Sequence, residues 1–208
     1  MNTVYIVDDH PLCRLGVRML LENDGYTVVG ESDNGADAMQ AVRDNPPDLM
    51  ILDISIPKLD GLEVLARFSS LHSSLKILVL TTQPAKLFAA RCMQSRAAGY
   101  VSKREGLGEL MSAIKAVLSG YNYFPSQVFT SPRSGNEQPT EAELFKLVND
   151  RELMVLQLFA QGRTNKEIAK GMFLSNKTVS TYKKRLMQKL KADSLVELIE
   201  MAKRNALV

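Results

Sequence analysis

Short apolar runs and longer amphipathic stretches alternate over the first 120 residues. The runs predict strands, and the stretches, in which apolar residues recur every three or four positions, predict helices. Strands are predicted at residues 4–7, 26–29, 49–52, 77–80 and 100–101, and helices near 11–23, 35–45, 61–70, 85–97 and 106–118. Strands that are apolar at successive positions are buried on both faces. The pattern predicts an α/β domain with a five-stranded parallel, doubly wound (βα)5 sheet.

The apolar period stops after residue 120. The stretch "FPSQVFTSPRSGNEQPT" is rich in Pro, Ser, Gly, Asn and Gln, a composition typical of a linker, and we assign the linker to residues 121–145. Four helical segments follow without a strand signal. Their start signals are Asn149 with Glu152, Thr164 with Glu167, Ser194 with Glu197, and the N-cap candidate Ser175. The chain is therefore divided into an α/β domain over 1–120, the linker, and a four-helix all-α domain over 146–208.

Composition and the lack of a signal-peptide pattern indicate the cellular compartment. Apolar residues make up 45% of the chain and charged residues 24%, as in an ordinary globular protein. The first thirty positions lack the pattern of a signal peptide, and no stretch reaches the roughly 18 apolar residues of a membrane span. We expect a cytoplasmic protein with no membrane partner. Cys13 and Cys92 are expected to be buried thiols, and the two histidines form no zinc motif with them.

The net charge of +3 is divided unevenly along the chain. Residues 146–208 carry 13 Lys and Arg against 6 Asp and Glu, a net of +7, and the first 145 residues carry 13 against 17, a net of −4. A basic C-terminal domain indicates a polyanionic partner for that domain alone.

Acidic residues follow two of the predicted strands. Asp8 and Asp9 come after the first strand, and Asp53 follows the third in "LMILDISIPKLDG". In the strand order 2-1-3-4-5 these strands are neighbours at the switch point, where ligands bind beyond the carboxyl ends. Mutual repulsion of the three carboxylates would raise their pKa values unless a cation were bound. The oxygen ligands of such a pocket suit Mg²⁺.

Two further strand ends supply hydrogen-bond donors. Thr81 closes the fourth strand in "KILVLTTQP", and Lys103 follows the fifth in "GYVSK". A carboxylate nucleophile flanked by a metal ion, a hydroxyl and an ammonium is equipped to take a phosphoryl group. Asp53 is the predicted carrier of the resulting acyl phosphate. Taken singly, an aspartate after a strand is more often a helix N-cap or a turn residue, and a strand-end threonine or lysine is usually a satisfied surface group. The prediction rests on their occurrence at the same end of successive strands.

The motifs "VDDHP", "LDISIPKLDG", Thr81 and "GYVSK" occur in the order found in receiver domains of two-component response regulators, which residues 1–119 resemble. The resemblance implies that Asp53 is phosphorylated by a sensor histidine kinase or a phosphotransfer domain. It also implies a Mg²⁺ site made of Asp8, Asp9, Asp53 and the backbone carbonyl of Ser55.

The same resemblance implies a switch. In receivers the hydroxyl at the position of Thr81 moves onto the phosphoryl group, and the aromatic side chain at the position of Tyr100 turns inward behind it. The sequence departs from the common pattern at Thr82, where receivers usually carry a small residue, and Ser55 occupies a variable position. Both positions line the route of the attacking water and so affect the lifetime of the acyl phosphate.

Two rival interpretations are open. An aspartyl-phosphate phosphatase would carry its nucleophile and acid as D-x-D after the first strand, a motif that is absent, so we do not expect an enzyme. A regulator that works without phosphorylation, with a degenerate receiver and an acidic pocket that is only structural, is the alternative. DNA affinity that is indifferent to a phosphodonor would favour it.

The stretch "FLSNKTVSTYKKRLMQKLKADS" predicts a helix with an apolar stripe and a basic, hydroxyl-rich face. Val179, Leu186 and Leu190 are spaced to face a core. A helix of this kind, a short turn after "TNKEIAKGMF", is typical of a helix-turn-helix that places its second helix in the major groove of double-stranded DNA.

Residues 147–205 resemble the LuxR-type helix-turn-helix domain, and the whole chain resembles the NarL/FixJ class of response regulators. "FLSNKTVSTYK", "SLVELI" and "GYNYFPS" bring it nearest to the Bvg/Evg branch. The resemblance implies base contacts from Ser180, Thr181 and Lys184. It implies phosphate contacts from Asn165, Lys166, Lys177, Thr178 and Lys183. Tyr182 departs from the family, because many members carry His there.

The resemblance also implies the partners. LuxR-type domains usually bind paired half-sites, so a homodimer is expected, and the last helix presents an apolar stripe that serves either dimerisation or the core. The branch implies a hybrid sensor kinase, and a transcription factor of this class acts on RNA polymerase.

Overall fold

The computed structural model describes residues 2–70, 74–104, 106–126 and 140–207. The chain divides into two compact units, Met1–Thr130 and Ser131–Val208, and each is described by itself. Within the described ranges, none of the helices combines the length and the apolar character that a membrane span requires.

The first unit is a five-stranded parallel sheet in the order β2-β1-β3-β4-β5, and it confirms the predicted α/β fold. The strands are β1 Thr3–Val7, β2 Thr27–Ser32, β3 Leu49–Leu52, β4 Lys76–Thr81 and β5 Gly99–Ser102. The helices are α1 Pro11–Asn23, α2 Gly35–Asp44, α3 Gly61–Ser70, α4 Ala85–Gln94 and α5 Leu107–Leu118. Strand β2 is longer than its apolar run because Glu31 and Ser32 continue the pairing with Ile6 and Val7.

The central strands are buried on both faces, as their continuous apolar runs predict. One core cluster joins residues of β1, β3 and β4 to α1 and α5. It includes Val4, Ile6, Leu49, Ile51, Leu78, Val17, Leu21, Leu110 and Ile114, each at most 1% exposed. Because the core fixes β1 beside β3, the chain segments that leave these two strands emerge next to each other.

The chain beyond α5 pairs with the sheet instead of leaving it. Tyr123 forms a parallel bridge with Gly99, in which Tyr100 N donates to Tyr123 O at 2.7 Å and Tyr123 N donates to Ala98 O at 3.0 Å. A Cβ atom at Gly99 would lie 2.9 Å from that Tyr123 oxygen, so the glycine permits the approach. Residue 123 was assigned to the linker, and its backbone pairing differs from that prediction.

The second unit contains five helices in its described residues. They are α6 Glu141–Lys146, α7 Asp150–Ala160, α8 Asn165–Gly171, α9 Asn176–Leu190 and α10 Leu195–Arg204. The last four match the predicted helical segments, and their connection α8–turn–α9 has the order of a helix-turn-helix.

Helix α6 lies inside the range predicted as linker, 121–145. Thr140 and Glu143 form a capping box at its start, and Leu144 and Phe145 are buried. Arg204 Nη2 donates to Glu141 Oε1 at 2.6 Å, which joins α6 to the end of α10. The all-α unit therefore begins before residue 146.

The predicted caps lie at the starts of the helices. Asn149 with Glu152 and Thr164 with Glu167 form complete capping boxes, and Ser175 caps α9. Ser194 accepts a hydrogen bond from Glu197 N, but the Glu197 carboxylate accepts from Asp193 N at 2.8 Å, so this fourth cap is not a reciprocal box with Ser194.

Candidate functional site

The acidic residues after β1 and β3 converge at the carboxyl edge of the sheet. Asp53 N donates to Val7 O at 2.8 Å, which carries the strand pairing up to the pocket. Asp8 and Asp53 are each 2% exposed. Ligand atoms of Asp8, Asp9, His10 and Asp53 all lie within 4.8 Å of one another. The structure thus brings together the three carboxylates that the sequence placed at adjacent strand ends.

Lys103 bridges two of these carboxylates. Its Nζ lies 2.6 Å from Asp8 Oδ2 and 2.5 Å from Asp53 Oδ2. Burial favours the neutral amine, but the charges and hydrogen bonds of Asp53 and Asp8 outweigh it and raise the pKa of Lys103. The ammonium therefore stays charged between the two carboxylates.

Repulsion was predicted to raise the carboxyl pKa values unless a cation were bound, and beside Asp8 the Lys103 ammonium is such a cation. Burial opposes ionisation of this carboxyl, yet hydrogen bonds from Cys13, Lys103 and the backbone of His10 lower its pKa. The physical reason is that the Lys103 ammonium, which the sequence places at the same edge of the sheet, supplies positive charge beside Asp8.

The carboxylates also fit a divalent cation. Asp9 Oδ1 is buried and has no hydrogen-bond partner among the described residues, although His10 Nδ1 lies 2.8 Å away. This oxygen lies beside the oxygens of Asp8 and Asp53, and a group of carboxylate oxygens suits a hard cation. These residues fit Mg²⁺.

The position of Ser55 is compatible with its predicted part in the site. Its N–H donates to Asp53 Oδ1 at 2.9 Å, and its hydroxyl accepts from Gln83 Nε2 at 2.7 Å. The backbone of Ser55 therefore turns around the Asp53 carboxylate. Its carbonyl as a metal ligand stays a prediction.

Thr81 and Tyr100 are both buried, and Gln83 links them. Gln83 N donates to Thr81 Oγ1 at 3.3 Å, and the Tyr100 hydroxyl donates to Gln83 O at 2.7 Å. The Tyr100 side chain is 1% exposed, so the structure has it turned inward. The part of the chain described here records no hydrogen bond between Thr81 and Asp53.

Sequence reasoning missed four residues around the pocket. Gln83 contacts Ser55, Thr81 and Tyr100, and its only signal was a polar residue two positions after the end of β4. His10 lies with the acidic side chains. The Arg14 guanidinium donates to Asp8 O at 2.5 Å. Cys13, expected to be a small hydrophobe, bonds to Asp8, and burial followed by that bond raises the pKa of its thiol to about 12.

The second candidate surface is the outer face of α9. Val179, Leu186 and Leu190 are buried, as the apolar spacing predicts. The predicted contact residues Lys177, Ser180, Thr181 and Lys184 are exposed on α9, as is Lys166 on α8, and Thr178, Lys183 and Asn165 are half-buried. One side of α9 is therefore packed and the other carries lysines and hydroxyls.

The hydroxyl groups on this face are hydrogen-bonded within the unit. Ser180 Oγ donates to Asn176 O at 3.0 Å and accepts from Asn165 Nδ2 at 3.1 Å. Thr181 Oγ1 donates to Lys177 O at 3.0 Å. Asn165, at the start of α8, is thereby joined to the middle of the surface of α9.

Both units match known families. The response regulator receiver domain family matches residues 4–115, and the luxR family of bacterial regulatory proteins matches residues 148–202. The chain is 56% identical over 206 residues to the virulence-factor transcription regulator BvgA of Bordetella pertussis, covering 99% of each chain. It is 36% identical over 205 residues to the DNA-binding transcriptional activator EvgA of Escherichia coli K12, covering 99% of this chain and 98% of EvgA.

A solved structure is similar to this chain over nearly its whole length. RcsB from Salmonella enterica serovar Typhimurium, bound to promoter rprA in the presence of the phosphomimetic BeF3⁻, has a TM-score of 0.69 and 27% identity, over 97% of this chain and 98% of RcsB. Together, the receiver fold, the helix-turn-helix and the full-length relatives agree on one class. The chain belongs to the NarL/FixJ class of response regulators, the DNA-binding transcription regulators of two-component systems.

Proposed function

We propose that Asp53 accepts a phosphoryl group and that its phosphorylation controls DNA binding. The observation that supports this best is the Lys103 ammonium, which lies within ion-pair distance of both buried carboxylates, Asp8 and Asp53. Phosphoryl transfer to a carboxylate needs a nucleophile and fixed positive charge for the phosphoryl oxygens. Asp53 and Lys103 are suited to those two parts.

In the proposed reaction, a carboxylate oxygen of Asp53 attacks the phosphorus of a phosphohistidine on a sensor histidine kinase or a phosphotransfer domain. The new P–O bond forms as the P–N bond breaks, and the released imidazole nitrogen takes up a proton. Lys103, already paired with Asp53, then pairs with the phosphoryl oxygens.

Asp8, Asp9 and Asp53, together with the backbone carbonyl of Ser55, are the residues that we propose to hold Mg²⁺. When bound, Mg²⁺ supplies positive charge that neutralises phosphoryl oxygens during transfer. Lys103 holds two of these carboxylates in place through its ion pairs.

Thr81 and Tyr100 are proposed to carry the signal away from Asp53. The Thr81 hydroxyl would turn to donate to a phosphoryl oxygen, which changes its contact with Gln83 N. The carbonyl of the same Gln83 holds the Tyr100 hydroxyl. Movement of Thr81 therefore reaches Tyr100 through one residue, as a local charge biasing a two-state element.

The C-terminal unit is proposed to bind double-stranded DNA through α9. Ser180, Thr181 and Lys184 would face base edges, and Lys177, Thr178 and Lys183, with Asn165 and Lys166 from α8, would hold phosphates. Base contacts specify a sequence and phosphate contacts position the protein, so the two sets have different functions.

We further propose that the phosphorylated protein binds DNA as a homodimer in the cytoplasm, acts on RNA polymerase there, and receives its phosphoryl group from a hybrid sensor kinase. The full-length relatives support a regulator of this kind, since BvgA and EvgA are named as transcription regulators. The two RcsB dimers solved on DNA support the dimer.

The first test is intact mass after incubation with Mg²⁺ and acetyl phosphate. We expect wild type and Asp44→Asn, a control at an exposed acid of α2, to gain about 80 mass units and Asp53→Ala to gain none. DNA titrations on the same samples should show tighter binding only where the adduct forms. No adduct on wild type would contradict the proposal.

The same experiment also tests a second candidate function. Lys103 satisfies Asp8 and Asp53 without any phosphoryl group, an arrangement that also favours a purely structural pocket. An adduct that leaves DNA affinity unchanged would support a transcription factor that works independently of phosphorylation.

The DNA assignments are tested by salt dependence. Lys177→Gln and Lys183→Gln should weaken all DNA alike and flatten the slope of log affinity against log salt by about one each. Lys184→Gln should relax the sequence preference, and Lys203→Gln, an exposed lysine of α10 outside the predicted set, is the matched control. Slopes equal to that of wild type would remove the phosphate assignment.

A further inference from the structure

The hydroxyl of Ser180 has almost no hydrogen-bonding capacity left for DNA. A serine hydroxyl has one hydrogen to donate and two lone pairs to accept with. The hydrogen is donated to Asn176 O at 3.0 Å, and one lone pair accepts Asn165 Nδ2 at 3.1 Å. What remains on this exposed side chain is a single acceptor site.

Thr181 is restricted in a similar way. Its hydroxyl hydrogen is donated to Lys177 O at 3.0 Å, one turn earlier in α9. Its two lone pairs remain, so it too can accept but not donate while that bond is kept. Ser180 differs from Thr181 because a second helix, α8, holds its oxygen from the side through Asn165.

The hydrogen-bonding groups in the major groove determine which bases such an acceptor can contact. An acceptor there can pair only with the exocyclic amino groups of adenine N6 or cytosine N4, whereas guanine and thymine offer acceptors at O6, N7 and O4. Phosphate oxygens are acceptors too, and they repel a second acceptor. Lys184 has the opposite character, since an ammonium donates only.

We propose that Ser180 is a specificity-determining residue that selects a base with an exocyclic amino group, adenine or cytosine. Asn165 is its positioning residue, because its amide holds Ser180 Oγ in the orientation that presents the free lone pair. This inference rests on the proposed placement of α9 in the major groove. It moves Asn165 from phosphate binding to the support of base readout.

The test begins with selection of binding sites from a randomised duplex library by the phosphorylated full-length chain. In the selected duplex, adenine is then replaced one position at a time by purine, which lacks the N6 amino group, and cytosine by 2-pyrimidinone, which lacks the N4 amino group. Removing the amino group opposite Ser180 should weaken wild-type binding about tenfold, the usual effect of one base contact.

Ser180→Ala should bind the parent and the amino-deleted duplex within about twofold of each other, because the reading group is gone. Asn165→Ala should keep the Ser180 hydroxyl and its bond to Asn176 O but remove the amide that holds the oxygen, so its loss of affinity on the amino-deleted duplex should lie between those of wild type and Ser180→Ala. Ser112→Ala is the matched control, since Ser112 is an exposed serine of α5 that donates to Gly108 O. It should behave as wild type.

The outcomes separate this inference from the proposed function. If wild type tolerates every amino deletion while Lys177→Gln still flattens the salt slope, the DNA function stands and the role of Ser180 is refuted. If the α9 lysine variants also leave DNA binding unchanged, α9 is not the DNA surface and both proposals are overturned. Equal loss by Ser180→Ala and wild type on the deleted duplex would likewise refute the pairing.

Discussion

Lys189 Nζ lies 2.6 Å from Glu152 Oε2, which joins helix α9 to α7 by an ion pair. Glu152 is 0% exposed, and the same oxygen accepts the N–H of Asn149 as part of the capping box of α7. Its other oxygen, Oε1, has no hydrogen-bond partner in the described part of the chain. The Glu152 carboxylate therefore caps the start of α7 and holds α9 through an ion pair. Lys189 supplies its positive counter-charge.

Replacing Lys189 with Met should destabilise the C-terminal unit. The buried carboxylate would lose its cation, and we expect the free energy of unfolding of this unit to fall by about 3 kcal/mol. Hydrogen-exchange protection of amides in α7 and α9, measured on the full chain, reports that unit by itself. Lys203→Met, at an exposed lysine of α10, should leave protection unchanged.

A double-mutant cycle isolates the contribution of the Lys189–Glu152 ion pair to stability. In a Glu152→Gln background no carboxylate is left unpaired, so adding Lys189→Met should cost less than about 1 kcal/mol. A loss as large as in the wild-type background would mean that Lys189 stabilises α9 by packing and not through Glu152.

Lys103 should be replaceable in part by Mg²⁺. Lys103→Met removes the ammonium that Asp8 and Asp53 share, so without metal we expect the first unit to lose about 3 kcal/mol of stability. Mg²⁺ should then raise the melting temperature of this variant more than that of wild type, because the metal binds only the folded pocket. Lys86→Met, at an exposed lysine of α4, is the control. Equal shifts for all three proteins would argue against a shared role for Lys103 and the metal.

Gly99 should not tolerate a methyl group. A Cβ atom there would lie 2.7 Å from Leu78 Cδ1 and 2.9 Å from Tyr123 O, so Gly99→Ala should lower the free energy of unfolding by about 1–3 kcal/mol. Gly108 in α5 has open space around its position, and Gly108→Ala should instead stabilise the unit by about 0.5–1 kcal/mol. Urea unfolding followed by circular dichroism compares the two variants. A free energy of unfolding that Gly99→Ala leaves unchanged would show that the Tyr123 segment can shift away from the added methyl group at little cost.

Glu167 should titrate below its ordinary value. The backbone N–H and then the hydroxyl of Thr164 donate to its carboxylate, and they lower its pKa from 4.5. A carboxyl whose pKa is lowered by folding stabilises the fold above its unfolded pKa, and that stabilisation is lost as the pH falls through the folded pKa. NMR titration of the Glu167 carboxyl carbon measures the value directly. Thr164→Ala removes the hydroxyl bond and keeps the backbone bond, so it should move the pKa of Glu167 only part of the way back towards 4.5. An unmoved value would exclude the hydroxyl as a cause.

The fold was largely predictable because its information lies in local apolar patterns. The runs at 4–7 and 49–52 read as strands buried on both faces, and that is how the sheet contains them. Helix α6 was missed although Thr140 and Glu143 carry its capping signal, because only six residues follow and its tie to Arg204 is remote in sequence. The pairing of Tyr123 was missed because it is made by backbone atoms, which leave no trace in a side-chain pattern.

The residues that form the pocket were predictable from the sequence, but the electrostatic interactions among them were not. Parallel strands bring their carboxyl ends together, so the positions of Asp8, Asp53 and Lys103 in the sequence suffice to place them at one edge. Whether Asp8 is repelled by its neighbours or stabilised by Lys103 depends on distances of a few ångströms, and the sequence contains no such distances. Gln83 was missed for a related reason, since its bonds with Thr81 and Tyr100 are made by its backbone.

The bridge between Tyr123 and Gly99 also covers part of the outer edge of β5. An unpaired strand edge offers its N–H and C=O groups to other chains, and β5 is the last strand on its side of the sheet. A receiver fragment cut at residue 120 would leave Tyr100 N and Ala98 O without the partners that Tyr123 provides. Such a fragment would expose a template for strand addition, so we expect it to associate more readily than the chain that retains Tyr123.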